Sequence, residues 1–258
     1  MSKLTKIFSN FGNQNSSEEE MSNDETKRLV DIGIKGKIFC LSMQRSGTTS
    51  VGDFLEQWGY KRVGHPLSRS KNWTKLWLSG NYDAIFQDPL FRDYDIFEDD
   101  PWWCPDFFKY AFHKIPDSRF ILLTRDSDAW FKSMISHSNG YSLGLTDIHA
   151  KIYRREDDLL WLQNNIEGFN CTAPQAMTLF DKASHYKSVY ERHTNEVKAF
   201  FDKFAPSALF VGQLNNQNIW GEIAEWLTLP DRGGLNMNVH THKRRQEFTK
   251  DDLLLRKG

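Results

Sequence analysis

Residues 36 to 60 read GKIFCLSMQRSGTTSVGDFLEQWGY, and the order of textures within them decides the fold. GKIFCLSM is an apolar run of the length a buried parallel strand needs. QRSGTT is a polar loop with one glycine, and SVGDFLEQWGY then sets Val51, Phe54, Leu55 and Trp58 at helical spacing before stopping at Gly59. A strand, a tight loop and a helix in that order aim successive backbone N–H groups at one point, with the positive end of the helix dipole behind them. The stretch reads as an anion cradle, to which the hydroxyls of Ser46, Thr48 and Thr49 add donors.

The kind of anion follows from the cations. A nucleoside-triphosphate loop, GxxxxGK[ST], needs a lysine directly after its second glycine. Here Thr48 follows Gly47, and Arg45 is the only cation of the loop. Magnesium triphosphate therefore fits poorly, whereas a smaller anion held by one guanidinium and several N–H groups fits well. The bland alternative is an ordinary helix cap of Ser and Thr, but the preceding strand and the Arg-Ser-Gly-Thr-Thr order are both unusual for one.

Working outward, the alternation recurs. Short apolar runs at 84–87 and 95–97 read as strands, and a helix is expected from about 105 to 113. SRFILLT is a second clear strand, RDSDAWFKSMISH a helix opened by acidic residues that suit its positive end, and NGYSLG a turn cluster. From 147 to about 204 the texture is helical, which predicts a helical insertion or cover; SALFVGQL and IWGEIAEWL supply a last strand and helix. Strands alternating with helices predict a parallel β-sheet flanked by helices in a three-layer α/β/α arrangement. Residues 1–33 are polar and read as a disordered tail; 34–258 read as a single α/β domain.

Composition narrows the partners. Among 258 residues, 33 Lys plus Arg stand against 34 Asp plus Glu, a net charge of −1, which argues against nucleic acid as a partner. Mean hydropathy is −0.61, no apolar run approaches the roughly 18 residues of a membrane span, and no apolar signal core opens the chain. A soluble cytoplasmic protein is expected. Cys40, Cys104 and Cys171 are widely separated, so they read as buried thiols rather than a disulfide framework or a metal cluster, and no metal is expected. His240 and His242 read as solvated polar residues. An aromatic content of 14%, with 9 Trp and 19 Phe, is larger than a minimal core needs. Trp73, Trp77, Trp102 and Trp103 could either pack a core or stack on an acceptor.

The loop resembles that of the sulfotransferase superfamily, whose 5′-phosphosulfate loop follows the first strand with a pattern like [KR]-[ST]-G-[ST]-[ST]. A second motif agrees: Arg125 ends SRFILLT and Ser133 follows eight residues on, as the superfamily's 3′-phosphate arginine and serine do. Pro116, Asp117 and Trp130 also match. The resemblance spans roughly residues 36 to 230. It implies that 3′-phosphoadenosine 5′-phosphosulfate (PAPS) is the co-substrate, held by Arg45, Ser46, Gly47, Thr48, Thr49, Ser50, Arg125 and Ser133. It also implies sulfuryl transfer to a hydroxyl of a glycan or small-molecule acceptor. Ser50 stands where better-known cytosolic members carry a tryptophan that stacks on adenine, which leaves the adenine contact open.

The resemblance further places a general base some 20 to 27 residues before the 3′-phosphate arginine, within FEDDPWWCP. Asp99, two before Pro101, is the first candidate, Asp100 the second and Glu98 a third; these acids could instead cap the helix expected near Pro105. His113 is a weaker choice because it falls within that helix. The basic run HKRRQ at 242–246 either folds over the 3′-phosphate through Lys243, Arg244 and Arg245, as in relatives, or is a solvated charge run. Two other readings remain: a nucleotide or metabolite kinase, which lacks its lysine here, and an inactive nucleotide-binding module.

Overall fold

Strand β1 (Ile38–Cys40) is buried along its whole length, and the reason lies on both of its sides. Ile38 and Cys40 point into one apolar cluster, while Phe39 and Leu41 point into another. Strand β4 (Arg119–Thr124) divides in the same way: Phe120 and Leu122 join Phe39, and Ile121 and Leu123 join Ile38. An unbroken apolar run with period-two packing is what a strand covered on both faces requires. The computed structural model describes residues 36–140, 147–169 and 179–231.

Helix α1 (Thr48–Glu56) follows β1, and then come β2 (Arg62–Val63) and four short helices. These are α2 (His65–Ser70), α3 (Trp73–Leu78), α4 (Tyr82–Gln87) and α5 (Pro89–Asp93). After β3 (Ile96–Phe97) come α6 (Phe107–Lys114), β4, α7 (Ser127–Ser138), α8 (Asp147–Ile152) and α9 (Glu156–Asn165). The long α10 (Ala183–Phe204), β5 (Leu209–Gln213) and α11 (Ile219–Trp226) complete the described fold. The sheet has five parallel strands in the order β2-β3-β1-β4-β5. Helices α1 and α11 cover one face through Phe54, Leu55, Ile219 and Trp220; α6, α7 and α10 cover the other through Phe108, Trp130 and Phe201. The three-layer α/β/α expectation stands.

One element differs from its sequence reading. The run 84–87 lies in helix α4, with Ile85 and Phe86 buried together, because four apolar residues carry too little period to separate strand from helix. The edge strand is instead the two-residue β2, paired with β3.

The aromatic surplus is a core. Trp73, Trp77, Trp102 and Trp103 are at most 2% exposed and all belong to the larger cluster. Trp102 meets Phe97 at 4.7 Å and Trp73 at 5.5 Å between ring centroids. No face of these indoles is left to stack on an acceptor. Trp58 is also core, and its Nε1 donates to the Pro230 carbonyl at 3.1 Å. Cys40 and Cys104 are buried free thiols, and burial pushes Cys40 up to about 12.

Candidate active site

Strand order locates the cleft. From β1 the chain moves to one side of the sheet for β3 and β2, then returns to the other side for β4 and β5. The carboxyl ends of β1 and β4 are therefore the switch point at which open parallel sheets bind ligands. The loop after β1 and Arg125 after β4 both lie there.

The loop is held from below. Leu41 N–H donates to the Ile121 carbonyl at 2.8 Å, and Ser42 Oγ accepts from Leu123 N–H at 2.7 Å. His193 Nε2 lies 2.8 Å from the Leu41 carbonyl; burial pushes this imidazole's pKa down, so the neutral ring donates through Nε2. The turn closes through Ser46 N–H to the Met43 carbonyl at 3.1 Å. Arg45 and Gly47 both take left-handed backbone, at φ 67° and 88°. A Cβ at Gly47 would come within 2.7 Å of Leu214 Cδ1, so glycine serves both the turn and the close packing. Helix α1 has Gly47 as its cap residue, which supplies no side-chain cap. Its first N–H groups therefore face the loop without a side-chain acceptor from the cap residue.

The loop after β1 and the Arg125–Ser133 motif meet. Arg45 Nε donates to Ser133 Oγ at 3.2 Å, and Arg125 Nη1 donates to the Arg45 carbonyl at 3.1 Å. Asp126 caps α7 by accepting from Ala129 N–H at 2.9 Å, which sets the helix that carries Ser133. Burial lowers the pKa of Arg125, with Tyr190 and Asp126 opposing, but a guanidinium keeps its charge. Ser46 Oγ is buried beside the Tyr190 hydroxyl without a hydrogen bond of normal geometry. Thr48 and Ser50 are buried in the first turn of α1, and Thr49 is half-buried.

The three carboxyls after β3 part company. Asp99, at φ 70°, accepts from Asp100 N–H at 3.0 Å and from Trp103 Nε1 at 3.5 Å. Burial raises its pKa, the neighbouring Asp100 raises it further, and His65 opposes. Asp100 accepts from Thr74 Oγ1 at 2.7 Å. Glu98 turns under the loop, 2% exposed, with Oε1 3.6 Å from Arg62 Nε. None of the three caps α6, whose cap residue is Asp106. His113 is exposed on α6. The basic residues Lys243, Arg244 and Arg245 lie outside the described residues, as do His240 and His242.

A family model for the sulfotransferase domain matches residues 37–231, most of the chain. The chain belongs to the sulfotransferase domain family. No curated protein matches it. The matched region opens one residue before β1 and closes after α11, so it spans the sheet, the loop after β1 and the Arg125–Ser133 segment. Among the described residues no His, Cys, Asp and Glu cluster could hold a metal ion, and no helix is long and apolar enough to cross a membrane.

Some of this sulfotransferase's supporting residues are absent from the sequence reading. Tyr190 on α10 accepts from Arg125 N–H at 2.9 Å and stacks on Trp130 at 4.6 Å. Trp130 Nε1 donates to the Gln44 carbonyl at 3.0 Å, and Gln44 Nε2 donates to the Tyr153 hydroxyl. His65 and His149 both lie in the field of the Asp99–Asp100 pair, and burial lowers the pKa of His149. Nothing in their local sequence marks them, because tertiary packing brings Tyr190 to Arg125, Tyr153 to Gln44 and the two histidines near the acid pair.

Proposed function

We propose that the chain transfers the sulfuryl group of PAPS to an acceptor hydroxyl and releases 3′-phosphoadenosine 5′-phosphate (PAP). The observation that carries this reading is the contact of Arg45 with Ser133 and of Arg125 with the Arg45 backbone, at the switch point of the sheet. One cradle then takes the 5′-phosphosulfate and the adjoining arginine and serine take the 3′-phosphate. A guanidinium offers a planar fork to each anion.

In the proposed reaction the acceptor oxygen attacks sulfur in line, and the bond from sulfur to the bridging oxygen of the 5′-phosphate breaks. Charge grows on that leaving oxygen. Arg45, the N–H groups after Gly47 and the hydroxyls of Ser46, Thr48 and Thr49 stabilise it, and one such preorganised donor is worth about 10² to 10³ in rate. The acceptor proton goes to Asp99. Its pKa, raised first by burial and then by the neighbouring Asp100 that Thr74 holds, makes it a stronger base than an exposed aspartate. Acceptors carrying a primary or sugar hydroxyl fit this chemistry. A screen of hydroxyl acceptors with sulfur-labelled PAPS tests the reading: a labelled product together with PAP supports it.

A further inference from the structure

Behind the donor loop lies a charged cluster that the reaction does not use. Arg62 on β2 reaches α1, where Nη1 contacts Asp53, lies 3.3 Å from Glu56 Oε2 and donates to the Thr49 carbonyl at 3.4 Å. Its Nε lies 3.6 Å from Glu98 Oε1. Two glycines make room for this pair. A Cβ at Gly52 would stand 2.2 Å from Arg62 Cδ, and one at Gly64 would stand 2.9 Å from Glu98 Oε1. Glu98 Oε2 is buried and makes no hydrogen bond of normal geometry, although the Thr48 hydroxyl lies beside the carboxyl. A buried acceptor in that position costs free energy unless it finds a donor or takes up a proton.

We propose that Glu98 is a positioning residue for the donor loop: protonated on Oε2, it donates to Thr48 Oγ1 and so directs the Thr48 hydroxyl proton at an oxygen of the bound donor. The step is a proton uptake from solvent with no bond to the donor made or broken. It rests on the sulfotransferase reading, since it is the donor's anion that calls for the aimed hydroxyl.

The surroundings agree. Burial and the charges of Asp99 and Asp53 push Glu98 up to about 7, against the pull of Arg62 and the Thr48 hydroxyl. These groups, with the Cys40 thiol beneath, are the titratable and charged neighbours that the packed elements present to it. An anion arriving at the loop adds negative charge on the same side and favours the neutral acid further. Glu98 is too buried to meet an acceptor, which separates it in role from Asp99.

The experiment is calorimetric titration of the full chain with PAP near neutral pH, repeated in buffers of different ionisation enthalpy. Wild type takes up about half a proton more on binding than Glu98→Gln does, because the amide holds the protonated geometry but cannot titrate. Glu98→Gln binds PAP within about threefold of wild type. Should that variant fail to fold, infrared difference spectra of wild type decide: a protonated carboxyl band appears when PAP binds. Equal proton uptake in both chains, or no new carboxyl band, overturns the relay while PAP still binds. Failure of wild type to bind PAP overturns the sulfotransferase reading itself and the relay with it.

Discussion

Arg45 and Ser133 are joined by a hydrogen bond of 3.2 Å from Nε to Oγ, which ties the loop after β1 to the second turn of α7. The guanidinium is thus oriented by the motif that is proposed to hold the far phosphate. Ser133→Ala is expected to weaken PAP binding by about thirtyfold, since it removes a phosphate donor and a hydrogen bond each worth about 1 kcal/mol. Arg45→Ala is expected to lower kcat by about 10² to 10³. Steady-state kinetics with varied PAPS separate the two effects, and an unchanged kcat for Arg45→Ala would remove that residue from the leaving-group role.

Asp99→Asn is expected to abolish turnover, a loss of about 10² to 10⁴, while PAP binding survives. The sign of the pH effect follows from the raised pKa of Asp99. A base acts only when deprotonated, so kcat/KM falls as pH drops through that raised value, above the ordinary aspartate value of about 3.9. Residual activity of the Asn variant should lose this dependence. Full turnover in Asp99→Asn would pass the role to another group.

Gly47→Ala combines two costs. A side chain at φ 88° loses about 1–2 kcal/mol, and the new methyl meets Leu214 Cδ1 at 2.7 Å. Urea unfolding should show a stability loss of that order or more, and PAP affinity should fall as the loop opens. Adding Leu214→Ala relieves the clash but not the backbone strain, so the loop defect should persist.

Trp102 and Trp103 make a matched pair of core tests. Both are buried, but Trp102 Nε1 has no hydrogen-bond partner, whereas Trp103 Nε1 donates to Asp99 at 3.5 Å. Trp102→Phe removes an unsatisfied buried donor, which offsets about 1–3 kcal/mol of the lost packing. Trp103→Phe has no such offset and also removes one of the two donors to the Asp99 carboxyl. Thermal unfolding should rank Trp103→Phe as the more damaging change, while Trp102→Ala costs about 3–5 kcal/mol.

Much of the fold was legible because the central strands are continuous apolar runs with turn signals at their ends. The segment 38–56 and the segment 119–138 each carry strand, loop and helix in one reading frame, which made the loop of Arg45 and Gly47 legible, while Arg125 and Ser133 stood out only through the family resemblance. Where the elements are short, that logic fails. Residues 84–87 hold a single apolar turn, and β2 has two residues, too few for any period to show. The tryptophans were ambiguous because composition counts rings without saying which surface they face. Tyr190, Tyr153 and His193 reach the loop through the packing of α8 and α10 and their neighbours, which no local pattern encodes. Glu98 was legible as an acid but not as a buried one; only the position of Arg62 and Gly64 reveals it.

Ligand preference tests the account most directly, because it does not require the acceptor to be known. Thermal unfolding of the chain should shift upward with PAP and remain unchanged with ATP and magnesium, as a loop with Arg45 and Thr48 in place of the triphosphate lysine requires. A shift with ATP and magnesium and none with PAP would contradict it.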